Sequence, residues 1–97
     1  MSELNQPISA IIKKRIEDSG KSYFANDNIS EFISDEERTL LKKEVEEKAQ
    51  SLLESLIIDY ENDHNTKDSG KRLAKMYIDE VFKGRYQSIP EIREFPN

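Results

Sequence analysis

The chain of 97 residues contains no cysteine and no tryptophan, and only three glycines and three prolines. Without a thiol it can form no disulfide, offer no thiolate nucleophile and build no zinc site that depends on sulfur. No apolar run approaches the roughly 20 residues that a membrane-spanning helix requires. The first residues also lack the basic-then-apolar order of a secretory signal peptide. We therefore expect a cytoplasmic chain with no membrane partner.

Charged residues are abundant, and the acidic ones outnumber the basic ones. The chain has 20 Asp and Glu against 15 Lys and Arg, which gives a formal net charge of -5. Non-specific nucleic-acid binding requires a basic surface, so nucleic acid is not an expected partner. At this length we expect one domain at most, which buries only about two-thirds of its unfolded surface. Long charged helices bury less than this and leave apolar surface for a partner.

The spacing of apolar residues predicts an all-α fold with an N-terminal helix, a long antiparallel helix pair and an extended C-terminal tail. We expect residues 1–33 to form the first helix and a loop, residues 34–84 the helical hairpin, and residues 85–97 the tail. The first helix is predicted from Pro7 to Asp18, with Gly20 as a left-handed stop. Residues 21–33 are predicted to be a loop that places a few apolar side chains in the core.

The second helix has the clearest start signal, because Ser34 and Glu37 have the spacing of a capping box. No glycine or proline interrupts the chain from Asp35 to Asp59, and such a helix is on the order of 35 Å long. Its opposite face carries Lys and Glu at i,i+4 spacing, beginning with Lys42 and Glu46. Its predicted apolar stripe contains Leu40, Leu41, Val45, Ala49, Leu52, Leu53, Leu56 and Ile57. A chain this small cannot readily cover so long a stripe.

The third helix is predicted from Gly70 to Lys83, capped by Ser69 or Asp68 and ended by Gly84. We expect it to pack antiparallel against the second helix. Its predicted apolar stripe contains Leu73, Ala74, Tyr77, Ile78, Val81 and Phe82. From the two stripes we predict an interface formed by Leu41, Val45, Leu52, Leu56, Leu73, Tyr77 and Val81.

The polar connection between these helices is the one segment with the donors of a metal loop. Its oxygen-bearing side chains alternate at Asp59, Glu61, Asp63 and Asn65. A calcium loop nevertheless requires glycine where His64 stands and a closing glutamate where Gly70 stands. A solvated connection is therefore favoured, and we predict no metal, cofactor or catalytic residue in this chain.

Lys71, Arg72 and Lys75 cluster near the start of the third helix, where cations oppose the helix dipole. Ser69 to Arg72 does not complete a phosphate loop, since Asn65 stands in place of the earlier glycine and Arg72 in place of Ser or Thr. Two interpretations stay open: contact with an anion, or pairing with acids such as Asp68 or Asp79.

Residues 68–84, which read DSGKRLAKMYIDEVFKG, resemble the helical motif near the start of GTP cyclohydrolase I. Leu73, Ile78 and Val81 match this motif by type, and residues 89–97 resemble the lead-in to the first strand of the family's catalytic domain. Ser69 and Gly70 depart from it, since they replace a Thr-Pro pair. The identical positions are Arg72, Ala74, Lys75, Met76, Tyr77, Asp79, Glu80, Phe82 and Gly84.

The resemblance implies an architectural role. In that family the long helix and the motif helix form an antiparallel pair outside the catalytic core, and pairs from different subunits pack together and help join rings. The family's zinc, held by two Cys and one His, activates the water that opens the guanine ring of GTP. Formate is released on the way to dihydroneopterin triphosphate, which leads to tetrahydrofolate, other pterins or deazaguanines. This chain lacks those cysteines, so zinc and the GTP site are expected only in a catalytic half outside it.

Two functional hypotheses follow. The first is the N-terminal oligomerisation region of a GTP cyclohydrolase I, as a fragment, a truncated product or half of a split enzyme. Its partners would be further copies of itself, a cyclohydrolase catalytic half, or both. The alternative is a free-standing helical adaptor or regulator that binds a partner through the Leu40–Ile57 face.

Overall fold

The computed structural model describes residues 6–87, and within this range the fold is all-α, as predicted. A 3₁₀ turn at Ser30–Phe32 precedes the second helix, and a π-helical turn at Tyr77–Val81 follows the third. In this range no helix is both long and apolar enough to cross a bilayer. Residues 88–97, which make up most of the predicted tail, lie outside the described residues. The helices are α1 (Ile8–Ser19), α2 (Asp35–Ser55), α3 (Ser69–Met76) and α4 (Lys83–Tyr86).

Helix α1 begins and ends close to the predicted positions. Pro7 has extended backbone and precedes the helix instead of forming its first turn. At the other end Gly20 adopts φ of 80°, and its N–H donates to the carbonyl of Glu17 at 3.1 Å. Glycine takes this left-handed conformation without the steric cost that a Cβ imposes.

Helix α2 starts at the predicted capping box and ends earlier than predicted. The Glu37 N–H donates to Ser34 Oγ at 3.1 Å, and the Ser34 N–H donates to Glu37 Oε1 at 3.0 Å. The helix ends at Ser55, not at Asp59, because Ile57 adopts φ of 63°. The N–H groups of Ile57 and Ile58 then bond back to the carbonyls of Glu54 and Leu53 at 2.9 and 3.0 Å. This is a Schellman motif, with isoleucine where glycine is usual.

Helix α3 packs antiparallel against α2, as predicted. Gly70, at the start of α3, lies against Glu46 and Gln50 in the second half of α2. Beyond the other end of α3, Asp79 pairs with Lys42 in the first half of α2, with 2.7 Å between Oδ2 and Nζ. The row that faces α2 is formed by three buried residues, Gly70, Ala74 and Ile78. Two residues of the predicted stripe, Tyr77 and Val81, are exposed.

The predicted third helix is not one continuous α-helix to Lys83. The α-helical hydrogen bonding stops at Met76, and the Phe82 N–H donates to the carbonyl of Tyr77 at 2.9 Å, as in a π-helix. The rings of Tyr77 and Phe82 stack with their centroids 6.3 Å apart. Gly84 lies inside α4, so its predicted role as the terminator is wrong. Short π-helical turns such as Tyr77–Val81 occur often at functional sites.

Arg85 attaches α4 to the loop that follows α1. Its guanidinium donates to the carbonyls of Tyr23, Phe24 and Asp27, at 3.1 Å for Tyr23 and 2.9 Å for Asp27. The Arg85 carbonyl in turn accepts from the N–H of Ile29 at 2.7 Å. Arg85, which follows the predicted boundary at residue 84, thus contacts the loop after α1 through both its side chain and its carbonyl.

The hydrophobic core lies beside the first half of α2. Ile8, Phe32, Val45 and Tyr86 pack around it. Two carboxylates of α2 hold α1 in place: Glu37 binds Arg15 at 2.7 and 2.8 Å, and Glu44 accepts from the N–H and hydroxyl of Ser9 at 2.9 and 2.5 Å. The buried residues of the core are Ile12, Ile16, Ile29, Ile33, Leu41 and Ile78.

Candidate association surface

The two helices of the hairpin have one charged side and one apolar side. On α3 and the turn after it, residues four apart share a row, and adjacent residues are about 100° apart. Lys71, Lys75 and Asp79 form the row on one flank of the buried row, and together with Lys42 and Lys43 of α2 they line a groove. Leu73, Tyr77 and Val81 form the row on the opposite flank.

The apolar row of α2 lies on the same side as this second row. Leu52 comes 11 residues after Leu41, which is about three turns and returns it to nearly the same direction. Leu41 is buried in the core, and Val45 packs against that core. Leu52 and Leu56 continue the row past these residues, and both are mostly exposed. On the apolar side of the hairpin, Leu41 and Val45 of α2 are therefore covered by the core, whereas Leu52 and Leu56 are exposed.

We call the uncovered part the apolar surface. The exposed fractions are 56% for Leu52, 60% for Leu56 and 93% for Ile57 on the α2 side, and 43% for Tyr77 and 57% for Val81 on the other side. Leu73, which is half-buried, lies between the two groups. These exposed side chains lie at two places, Leu52, Leu56 and Ile57 at the C-terminal end of α2, and Tyr77 and Val81 near the level at which Asp79 pairs with Lys42. Exposed aliphatic residues are common singly, whereas several on one side of a helix pair are typical of an interaction site. The apolar surface is defined by Leu52, Leu56, Ile57, Leu73, Tyr77 and Val81.

Ile57 is the member of this surface that the predicted interface did not include. Its left-handed backbone conformation is rare for a β-branched residue and costs about 1–2 kcal/mol. Its side chain is also nearly fully exposed, so burial within the chain does not offset this cost. A helix end without glycine, directly after an apolar stripe, was the signal available in the sequence.

Two predictions about this face need correction. Leu41 belongs to the core of the chain itself, so it is not available to a partner. Leu40 is exposed, but it lines a groove between α1 and α2 together with Pro7, Ile8 and Ile11. Adjacent helical residues point about 100° apart, so Leu40 and Leu41 cannot share a row. The segment Leu40–Ile57 is consequently not a single face.

The charged side resolves one of the two interpretations of the basic cluster. Asp79 pairs with Lys42 and not with Lys71 or Lys75. Within residues 6–87 no carboxylate oxygen lies within 4.0 Å of the charged groups of Lys71, Arg72 or Lys75. Pairing with Asp68 or Asp79 is therefore wrong as the explanation of this cluster.

Two carboxylates of the polar connection accept hydrogen bonds within local turns. Asp59 accepts from the side-chain amide of Asn62 at 2.8 Å, and Asp63 accepts from the N–H of Asn65 at 3.0 Å. In the described part of the chain, no group of three or more His, Asp or Glu is placed to hold a metal ion. The donors of the zinc site that the resemblance implies are also missing, since the chain has no cysteine and its one histidine, His64, is exposed in this connection.

The largest resolved pKa shift belongs to the contact between α1 and α2. The Arg15 guanidinium, with help from the Ser34 N–H, lowers the pKa of Glu37 from 4.5 to about 2. Hydrogen bonding to Glu37 likewise raises the pKa of Arg15. A carboxylate held ionised in this way stabilises the fold and is not adapted to accept a proton near neutral pH.

No family model, curated protein or solved structure matches the chain. The resemblance to GTP cyclohydrolase I therefore depends on the motif residues themselves. Ala74 of the motif is buried against α2, Met76 is half-buried, and Tyr77 stacks on Phe82. The charged motif residues Arg72, Lys75 and Glu80 are exposed, as is Gly84.

Proposed function

We propose that this chain is the N-terminal helical oligomerisation region of a GTP cyclohydrolase I and that it is not catalytic on its own. The observation that carries the proposal is the apolar surface, whose members the chain leaves exposed on one side of the hairpin. The motif residues 72–84 support the assignment to this family, because they form the partner helix of α2 and the turn that follows it. Association of helix pairs from different subunits is the role that the resemblance implies for this region.

The energetics of the apolar surface favour association. Complete burial of a large aliphatic side chain is worth about 1.5–3 kcal/mol. The five exposed members leave the equivalent of roughly three such side chains in water on each copy. Covering these side chains with a second copy would remove this apolar surface from water, which opposes the cost of association of about 4–15 kcal/mol. We expect a reversible complex, which becomes tighter when a catalytic half holds several copies in one ring.

The first experiment tests whether the chain is catalytic. Purified chain incubated with GTP and Zn²⁺ should release no formate, because it has no cysteine and only one histidine with which to build the family's zinc site. A complete GTP cyclohydrolase I under the same conditions provides the positive control. Formate production by this chain alone would contradict the proposal.

The second experiment tests the family role. The chain is mixed with a GTP cyclohydrolase I catalytic domain from which the N-terminal helices have been deleted, and the mass of the assembly is measured by light scattering after gel filtration. We expect a mixed assembly larger than either component. A chain with Leu52→Glu and Leu56→Glu should not enter the assembly.

The adaptor hypothesis predicts a different result in the same experiment. A free-standing adaptor would ignore the catalytic domain, and no reading frame for a zinc-binding cyclohydrolase half would lie next to its gene. Both findings together would replace the family role with binding to an unrelated partner through the same surface.

A further inference from the structure

The charged side of the hairpin contains a groove with an excess of lysine. Lys42 and Lys43 of α2 and Lys71 and Lys75 of α3 line it, and its volume is about 280 Å³. Two carboxylates share these walls, Glu46 and Asp79. The lining therefore has four cationic and two anionic groups, in a chain whose formal net charge is -5. We call this feature the lysine groove.

Most of this positive charge is not neutralised within the described part of the chain. Lys42 pairs with Asp79 at 2.7 Å, whereas no carboxylate oxygen in residues 6–87 lies within 4.0 Å of the amines of Lys43, Lys71 or Lys75. Lys71 and Lys75 are one turn apart on α3, where like charges repel. Lys71 also lies in the first turn of α3, where the helix dipole disfavours a cation. An anionic partner would relieve all of these unfavourable interactions.

We propose that the lysine groove binds the acidic face of a helix from a partner protein. Helices pack by fitting the side-chain ridges of one into the grooves of another, and a groove between two antiparallel helices is a surface of this kind. Glutamates four residues apart on that helix repeat about every 6 Å, which is also the rise between Lys71 and Lys75. The alkyl stems of the lysines offer apolar wall to small side chains of the partner, while their amines reach its carboxylates.

The same observations disfavour a compact phosphate ligand. The lysines are distributed along two helices, and no arginine lines the groove to supply a bidentate fork. Glu46 and Asp79 lie in the wall and would repel a ligand with several charges in a small volume. The groove is on the opposite side of the hairpin from the apolar surface, so this proposal stands or fails independently of the proposed function.

The test uses the whole chain and a synthetic helix as the probe. The probe is a capped 18-residue alanine-based peptide with glutamate at every fourth position, and the control peptide has glutamine at those positions. Binding is measured by titration calorimetry and by NMR shifts of the α2 and α3 amides, at 20 mM and at 200 mM NaCl. The variant K71Q/K75Q removes two cations of the groove. The variant K13Q/K67Q removes the same net charge from exposed sites elsewhere.

We expect the glutamate peptide to bind, with affinity at least tenfold weaker in the higher salt and at least tenfold weaker for K71Q/K75Q. The control peptide should not bind, and K13Q/K67Q should bind as the unmodified chain does. Equal losses in the two variants would indicate non-specific attraction and overturn the proposal. Absence of binding at millimolar peptide would overturn it as well. Inorganic tripolyphosphate is the competing probe, and its binding at these lysines in preference to the peptide would assign the groove to phosphate and contradict the proposal.

Discussion

Substitution of Glu37 by glutamine should weaken the attachment of α1 to α2 without removing the helix cap. Glutamine is accepted at the third position of a capping box, so its side-chain oxygen can still accept from the Ser34 N–H. Of the two hydrogen bonds from Arg15, the one to Oε1 at 2.8 Å then loses its ionic character, and the one to Oε2 at 2.7 Å is lost, because the amide NH2 that replaces Oε2 cannot accept. The substitution therefore isolates the ion pair from the cap.

The magnitude follows from the pKa of Glu37, which is lowered from 4.5 to about 2. A pKa difference of one corresponds to about 1.4 kcal/mol, so the whole difference would contribute about 3 kcal/mol to the free energy of unfolding. The side chains of Arg15 and Glu37 are 45% and 21% exposed, and solvent screening reduces the contribution of such a pair. We expect Glu37→Gln to lower the free energy of unfolding at pH 7 by about 1–2 kcal/mol.

The effect should depend on pH in a defined direction. Because the pKa of Glu37 is lower in the folded state than in the unfolded state, the ionised carboxylate stabilises the fold above pH 4.5. This contribution is lost as the pH falls towards about 2, where the folded state also takes up the proton. The difference between the unmodified chain and Glu37→Gln should therefore be complete at pH 7 and vanish near pH 2.

Urea unfolding followed by circular dichroism at several pH values measures both the loss of unfolding free energy at pH 7 and its dependence on pH. Glu36→Gln is the matched control, because it removes an acid from the same first turn of α2 without touching Arg15. A Glu37→Gln effect no larger than that of Glu36→Gln, or one that persists unchanged at pH 2, would refute the reasoning.

Three further substitutions probe the packing. Gly70→Ala should destabilise the chain by about 1 kcal/mol in urea unfolding, because an added Cβ would lie 3.1 Å from a backbone oxygen of α2. Gly84→Ala is the control, and it should be neutral or stabilising because an added Cβ there has nothing within 4 Å. Equal effects would contradict this. Ile57→Gly should raise the free energy of unfolding by about 1 kcal/mol, because glycine adopts the left-handed conformation without strain. It should also weaken self-association in sedimentation experiments. Unchanged association would show that Ile57 is not part of the apolar surface. Arg85→Ala should destabilise by about 1–2 kcal/mol and accelerate amide exchange at Ile29, while Lys83→Ala should do neither. Unaltered exchange would show that Arg85 does not hold the loop.

Signals that act over a few residues were readable in the sequence. The Ser34–Glu37 capping box and the Gly20 stop depend on groups within one helical turn, and both are present as predicted. The antiparallel pairing of α2 and α3 was also predictable, because the connection between two apolar stripes is short. In each case the residue type and its spacing carry the physical cause.

Features that depend on the tertiary structure were not readable. The π-helical turn after Met76 and the docking of Arg85 on three carbonyls require knowledge of which segments meet. The apolar stripe of α2 was visible as a pattern, but the pattern does not state how much of it other helices cover. The predicted interface therefore includes Leu41, which lies in the core, and omits Ile57, which is exposed.

The most direct test of the central claim compares two leucines of α2. Leu52 and Leu40 are 56% and 55% exposed, so Leu52→Glu and Leu40→Glu make the same chemical change at equal exposure on different sides of one helix. Sedimentation equilibrium over a concentration series gives the association constant of each variant and of the unmodified chain. We predict that the unmodified chain and Leu40→Glu associate, while Leu52→Glu stays monomeric. An unmodified chain that is monomeric at every concentration, or equal association of the two variants, would contradict the account.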